Sequence, residues 1–76
     1  MTASNEIRAL QASLLGTLET ARALEGIQSK VMDIEPDSDI ATDDLEELGR
    51  LALAHAVAAQ ALRGLVEAMR LRRGGG

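Results

Sequence analysis

The sequence has no aromatic residue and no cysteine, and it has a single histidine. Without cysteine the chain can form neither a disulfide nor a thiolate metal site, and with one histidine a zinc site would have to be shared between chains. Platforms for single-stranded nucleic acids and most small-molecule pockets use aromatic side chains, so both kinds of site are disfavoured. The net charge of −4 and the pI near 4.8 also argue against direct binding of nucleic acid.

The apolar residues that are present are those of helix–helix interfaces. Alanine, leucine, valine, isoleucine and methionine supply the whole apolar fraction of 46%. Alanine, leucine, glutamate and arginine, which are common here, are strong helix formers. A sheet would draw on aromatic and β-branched residues instead. The composition therefore predicts an all-α protein.

Two segments carry apolar residues at the three- and four-residue spacing of one helix face. The spacing predicts helices over about residues 4–34 and 42–72. Between them, residues 35–41 have the composition of a loop, because Pro36 disfavours the helical conformation at the residue before it. Gly74–Gly76 should end the second helix and be disordered. Two long helices joined by a short loop must lie antiparallel, so we predict a single helical hairpin over residues 1–73.

Folding the chain about residue 38 opposes residues whose numbers sum to about 76. In this register Gly26 faces Gly49, and Gly64 faces Ala12. A glycine in a helix interior costs roughly 1 kcal/mol relative to alanine. We therefore expect the interior glycines to mark places where the two helices approach closely.

The second helix contains a stretch, Ala52–Ala61, that is apolar or small on nearly every side. A helix of this kind is usually buried on all sides, which one partner helix cannot achieve. A small chain also needs a supplement to its core, and twofold dimers are the commonest oligomers. The sequence therefore predicts that two hairpins form a four-helix bundle. The predicted dimer interface comprises Leu51, Ala52, His55, Ala58, Ala59, Leu62 and Val66.

Residues 33–47 include eight acidic side chains and no basic one. These carboxylates can belong to a solvated loop and a helix N-terminus, which favours negative charge, or to a surface for a basic partner. A calcium loop is disfavoured, because Ser38 stands where glycine is required and Asp44 where the bidentate glutamate is required. The predicted partner-binding residues of this acidic tip are Asp37, Asp39, Asp43, Asp44 and Glu47.

The sequence predicts a non-catalytic protein without a cofactor or a metal. It shows no nucleophile elbow, phosphate-binding loop or run of metal ligands. The longest uncharged stretch, Leu51–Leu62, is too short to span a bilayer. The polar, acidic start of the chain is unlike a signal peptide, so we expect a cytoplasmic protein.

The layout resembles that of short helical-hairpin accessory proteins of pseudomonads and their phages. The segments that carry the resemblance are Leu14-Leu15-Gly16-Thr17-Leu18-Glu19, the loop Asp37–Asp44, and Leu51-Ala52-Leu53-Ala54-His55 leading to Ala61-Leu62. The resemblance implies a bacterial or phage regulator that binds and inhibits another protein. The residues leave three functions open: a dimeric interaction module that modulates a protein target, a structural helical bundle, and an acidic mimic that blocks a nucleic-acid-binding protein.

Overall fold

The fold consists of two long antiparallel α-helices. A computed structural model describes residues 2–74, and side-chain burial from residue 5 onward. Helix α1 runs over Thr2–Met32 and helix α2 over Thr42–Gly74. The prediction of an all-α antiparallel hairpin is confirmed. Each helix boundary lies within two residues of its predicted place. The prediction that Gly74 is disordered is wrong, because Gly74 is the last residue of α2, and the prediction for Gly75 and Gly76 lies outside the described residues.

The connection between the helices is a tight turn followed by a short extended segment. At the end of α1 the amide of Ile34 donates to the carbonyl of Val31 at 3.2 Å. The amide of Ser38 then donates to the carbonyl of Glu35 at 2.9 Å. Pro36 occupies the second position of this turn, where the backbone angle that proline imposes is the one required.

Helix α2 begins without a capping side chain. The amide of Leu45 donates to the carbonyl of Ala41 at 3.0 Å, which makes Ala41 the N-cap residue. Alanine has no side-chain acceptor for the free amides of the first turn. Asp43 and Asp44 lie in that turn, where their negative charge is favourable beside the positive end of the helix dipole.

Half-buried side chains at alternating spacings of three and four residues form a seam between the two helices. On α1 these are Glu6, Leu10, Ser13, Thr17, Thr20, Leu24 and Val31, together with the fully buried Ile27, and on α2 they are Asp44, Leu48, Leu51, His55, Ala58, Leu62, Leu65 and Met69. This spacing is the heptad pattern of a coiled coil. Among residues 5–74 only Ile27 is fully buried, with 5% of its surface exposed.

Contacts across the seam agree with the predicted pairing of the helices. Thr20 Oγ1 lies 2.8 Å from His55 Nδ1, and these residue numbers sum to 75. Near the loop, Lys30 Nζ lies 3.6 Å from Asp44 Oδ1, and these numbers sum to 74. Both sums are close to the 76 obtained by folding the chain about residue 38.

The prediction that the glycines mark close helix approaches is wrong. A Cβ atom built at Gly16, Gly26, Gly49 or Gly64 would meet nothing within 4 Å. The helices meet instead through the seam, where Thr17, Ala58 and their neighbours lie. Opposed positions share a height along the hairpin, but residues at one height can still point away from each other.

Because these glycines have free space around them, replacing them with alanine should stabilise the hairpin. We expect the Gly26→Ala, Gly64→Ala double variant to gain roughly 2 kcal/mol in the free energy of unfolding, since each site contributes about 1 kcal/mol of helix propensity. Urea unfolding followed by circular dichroism measures this gain. A loss of stability would instead show that a neighbouring chain approaches these two positions.

The hairpin exposes much more surface than a compact protein of the same mass. Its accessible surface is 6065 Å², whereas a compact monomer of 8.0 kDa is expected to expose about 4,450 Å². Its radius of gyration is 17.2 Å and its dimensions are 55 × 20 × 16 Å. Neither described helix is long and apolar enough to cross a membrane.

Candidate functional site

A row of large apolar side chains lies beside the seam on α1. Ile7 follows the seam residue Glu6 by one position, Leu14 follows Ser13, and Leu18 lies one turn beyond Leu14. Since successive helix residues are rotated by about 100°, a residue that directly follows the seam lies on its flank. The exposed fractions of Ile7, Leu14 and Leu18 are 50%, 47% and 48%. These side chains are half covered by the hairpin and half open to solvent.

The corresponding row on α2 lies on the same side of the hairpin. Leu45, Ala52, Ala59 and Val66 follow the seam residues Asp44, Leu51, Ala58 and Leu65, respectively. Both helices are right-handed and they run in opposite directions, so the residue after a seam position turns to the same side on each. The two rows form one continuous surface, which we call the apolar face. Its apolar members are Ile7, Leu14, Leu18, Ala21, Met32, Leu45, Ala52, Ala56, Ala59 and Val66, and the polar residues Gln11, Glu25, Gln28 and Arg63 lie in the same two rows.

The opposite side of the hairpin has a different character. Its flanking positions are small residues such as Ala9, Gly16 and Ala54, interrupted by the charged residues Lys30 and Arg50. The large apolar residues there, Val57 and Leu71, lie farther from the seam and are more exposed. Contiguous exposed apolar surface marks interaction sites. The apolar face is therefore the stronger candidate for an interface.

The structure divides the predicted dimer-interface residues between two environments. Leu51, His55, Ala58 and Leu62 lie half-buried in the seam, whereas Ala52, Ala59 and Val66 lie on the apolar face. The α1 half of that face was not among the predicted interface residues. Its signal in the sequence is the spacing of Ile7, Leu14 and Leu18, which forms a second stripe beside the one through Leu10 and Leu24.

A polar pair joins the two helices near the middle of the seam. His55 Nδ1 lies 2.8 Å from Thr20 Oγ1, which is also 3.1 Å from the carbonyl oxygen of Gly16 and 2.9 Å from that of Thr17. The hydroxyl has one proton and can donate to a carbonyl while it accepts from the imidazole, or donate to the imidazole itself. His55 is thus hydrogen-bonded within its own chain.

This pair has a structural use in the hairpin. Thr20 keeps backbone acceptors whatever happens across the seam, whereas Nδ1 of His55 depends on Thr20. A shift of one helix along the other would leave the imidazole among apolar side chains without that partner, which is costly. A single polar seam position fixes register in coiled coils in the same way. In the described part of the chain, no group of three or more histidine, aspartate and glutamate side chains is placed to hold a metal ion.

The acidic tip has fewer exposed carboxylates than the sequence predicted. Asp37, Asp39 and Asp43 are exposed, whereas Asp44 and Glu47 are half-buried. Asp44 forms the ion pair with Lys30 across the seam. Three of the five predicted partner-binding carboxylates are therefore exposed, and one of them, Asp39, accepts a hydrogen bond on Oδ1 from the amide of Ile40 at 3.2 Å.

The opposite, open end of the hairpin is rich in arginine. Its five arginines are Arg8, Arg63, Arg70, Arg72 and Arg73. Arg72 forms an ion pair with Glu6 across the seam, and Arg70 Nη1 lies 3.3 Å from Glu67 Oε1 within α2. Val66 and three neighbours, Leu10, Arg70 and Arg73, help to line a shallow concavity of about 160 Å³ at this end. The hairpin is therefore acidic at one end and basic at the other.

No protein-family model, curated protein or solved structure matches this chain. The functional proposals below are accordingly based on the surfaces of the hairpin itself.

Proposed function

We propose that this chain is a small, non-catalytic protein-interaction module that acts as a dimer, in which two hairpins pack into a four-helix bundle through their apolar faces. The observation that supports this proposal is the half-exposed state of Ile7, Leu14 and Leu18 beside a seam that fully buries only Ile27 among residues 5–74. Covering the exposed half of each large side chain would contribute roughly 1 kcal/mol. A dimer would gain these contributions from both copies.

The dimensions of the hairpin support a second copy as the partner of the apolar face. A face 55 Å long and 16 to 20 Å wide has an outline of about 900 to 1,100 Å². A stable protein–protein interface needs about 800 Å² from each partner. A second hairpin has the same length and can cover the whole face, which a single short helix cannot do.

We further propose that the dimer binds and modulates a protein with a basic surface, using the exposed carboxylates of Asp39 and Asp43. These side chains lie at the loop, away from the apolar face, so they stay accessible in the bundle. Inhibition of that target, a location in the cytoplasm and the resemblance to bacterial and phage regulators stay predictions. A structural role and mimicry of nucleic acid also stay open as alternative predictions.

Light scattering coupled to gel filtration tests the dimer. We expect a mass of about 16 kDa at micromolar concentration, which is twice the chain mass of 8.0 kDa. A helical protein with a mass of 8.0 kDa at every concentration would contradict the proposal. A mass that grows without limit as concentration rises would favour the assembly-forming alternative, because open-ended contacts do not close at two copies.

A further inference from the structure

We infer that the two hairpins dock antiparallel, so that the acidic tip of each copy meets the arginine-rich open end of the other. This inference rests on the proposed dimer and concerns which ends of the two chains come together. Two properties of the apolar face support it: the charges at its two ends and the sizes of the side chains in its two halves.

The charges along the edges of the apolar face have opposite signs at the two ends of the hairpin. At the open end, Arg63 and Arg70 lie one turn to either side of Val66, and Arg73 follows Arg72, which forms the ion pair with Glu6. Toward the tip, Glu25 lies one turn beyond Ala21, and Glu35 directly follows half-buried Ile34.

When two antiparallel copies overlap over their full length, the positive charges of one copy lie level, along the long axis, with the negative charges of the other. The numbers of opposed residues of α1 and α2 sum to about 75. Arg63 therefore lies level with residue 12 along the long axis of the hairpin. Full overlap brings this position level with residue 27 of the second copy, but a twofold axis sets α2 on α2, so Arg63 faces the region of residue 48 and Glu25 lies diagonally across the bundle. By the same construction, Arg70 and Arg73 reach the heights of residues 34 and 37, beside Glu35 and Asp37 of the second copy.

A parallel arrangement would bring like charges together at both ends. The tips, with eight carboxylates in residues 33–47 of each chain, would lie side by side, and so would the open ends with their arginines. Packed helices are 8–10 Å apart, about the Debye length at physiological ionic strength, so salt would screen this repulsion only in part. Like charges across an interface suppress the arrangement that contains them.

The side-chain sizes favour the same orientation. Large residues of the apolar face are concentrated in the open half, where Ile7, Leu14, Leu18 and Val66 lie. The half nearer the tip carries Ala21, Ala52 and Ala56, and its large members are Leu45 and Met32, which is 73% exposed. Antiparallel docking places the large half of one copy on the small half of the other, so that the layers can interdigitate. Parallel docking would oppose large residues to large ones and small residues to small ones.

A distance measurement between tips tests the orientation. The described chain has no cysteine, so Ser38→Cys gives a single site for a spin label on the exposed loop. In the antiparallel dimer the two labels should be about 55 Å apart, the length of the hairpin, and the variant should not form a disulfide-linked dimer. A matched pair, Ser38→Cys mixed with Asn5→Cys from the open end, should give a short distance.

The possible outcomes separate the two proposals. A short distance between labels at residue 38, or ready disulfide formation there, would overturn the antiparallel orientation while leaving the dimer intact. A monomeric mass with no dipolar coupling in any sample would overturn the dimer and with it the orientation.

Charge reversal provides an independent check of the orientation. In the antiparallel dimer, Arg70→Glu, Arg73→Glu should raise the dimer Kd roughly tenfold or more, and so should Glu35→Arg, Asp37→Arg. Combining both sets in one chain should restore the original Kd, because the ends again carry opposite charges. Equal dissociation constants for all four proteins would contradict antiparallel pairing.

Discussion

Replacing Leu14 and Leu18 with glutamate should convert the dimer into monomers, whereas the same change at Leu15 and Leu53 should not. The first pair lies on the apolar face with 47% and 48% of its surface exposed, and the control pair points away from it with 59% and 66% exposed. In the dimer the new carboxylates of the first pair would be buried against the second copy. An unpaired buried charge costs several kcal/mol, and the twofold axis doubles the number of charges.

The control pair makes this comparison specific to one face. Both variants replace two leucines with two glutamates, so they have the same net charge and nearly the same helix propensity. Light scattering gives the mass of each variant, and circular dichroism reports whether its helices remain. Dissociation of both variants to the same extent would contradict the assignment of the apolar face as the dimer interface.

Replacing Ile27 with alanine should have the largest effect on stability of any single apolar truncation. Among residues 5–74, Ile27 has the most buried side chain, with 5% exposed, and large-to-small core substitutions of this kind cost about 2–5 kcal/mol. Cores of chains this small supply only about 3–5 kcal/mol in total, so we expect the variant to be largely unfolded at room temperature. Alanine is the better helix former, so the loss would come from packing alone.

The matched control for Ile27→Ala is Leu53→Ala on the outer side of α2. Leu53 is 66% exposed, and a surface substitution of this kind changes stability by less than about 0.5 kcal/mol. Urea unfolding monitored at the helical band of circular dichroism measures both variants. Similar midpoints for the two would show that the seam near Ile27 does not hold the hairpin together.

The helices and their pairing could be predicted from the sequence because local signals specify them. Apolar residues recur at helical spacing on both sides of Pro36, and a short loop leaves the antiparallel arrangement as the only one. The heights of opposed residues follow from chain length alone, which is why Thr20 and His55 lie close to the predicted register.

The identity of the seam could not be predicted, because its middle is polar. Ser13, Thr17 and Thr20 occupy seam positions of α1, and Thr17 and Thr20 satisfy their hydroxyls on backbone carbonyls of their own helix. A search for apolar periodicity passes over such residues and merges the seam with the neighbouring stripe through Leu14 and Leu18. The partner of His55 was missed for the same reason, since Thr20 is on the other helix.

The loop lies at one end of a hairpin 55 Å long, and this position determines how many target molecules one dimer can bind. In the antiparallel dimer the two exposed pairs of Asp39 and Asp43 would lie at opposite ends, too far apart to bind one small basic patch together. Each dimer would instead bridge two target molecules, or two sites on a repeating target. Avidity would then depend on whether the spacing of the sites on that target matches the fixed length of the hairpin.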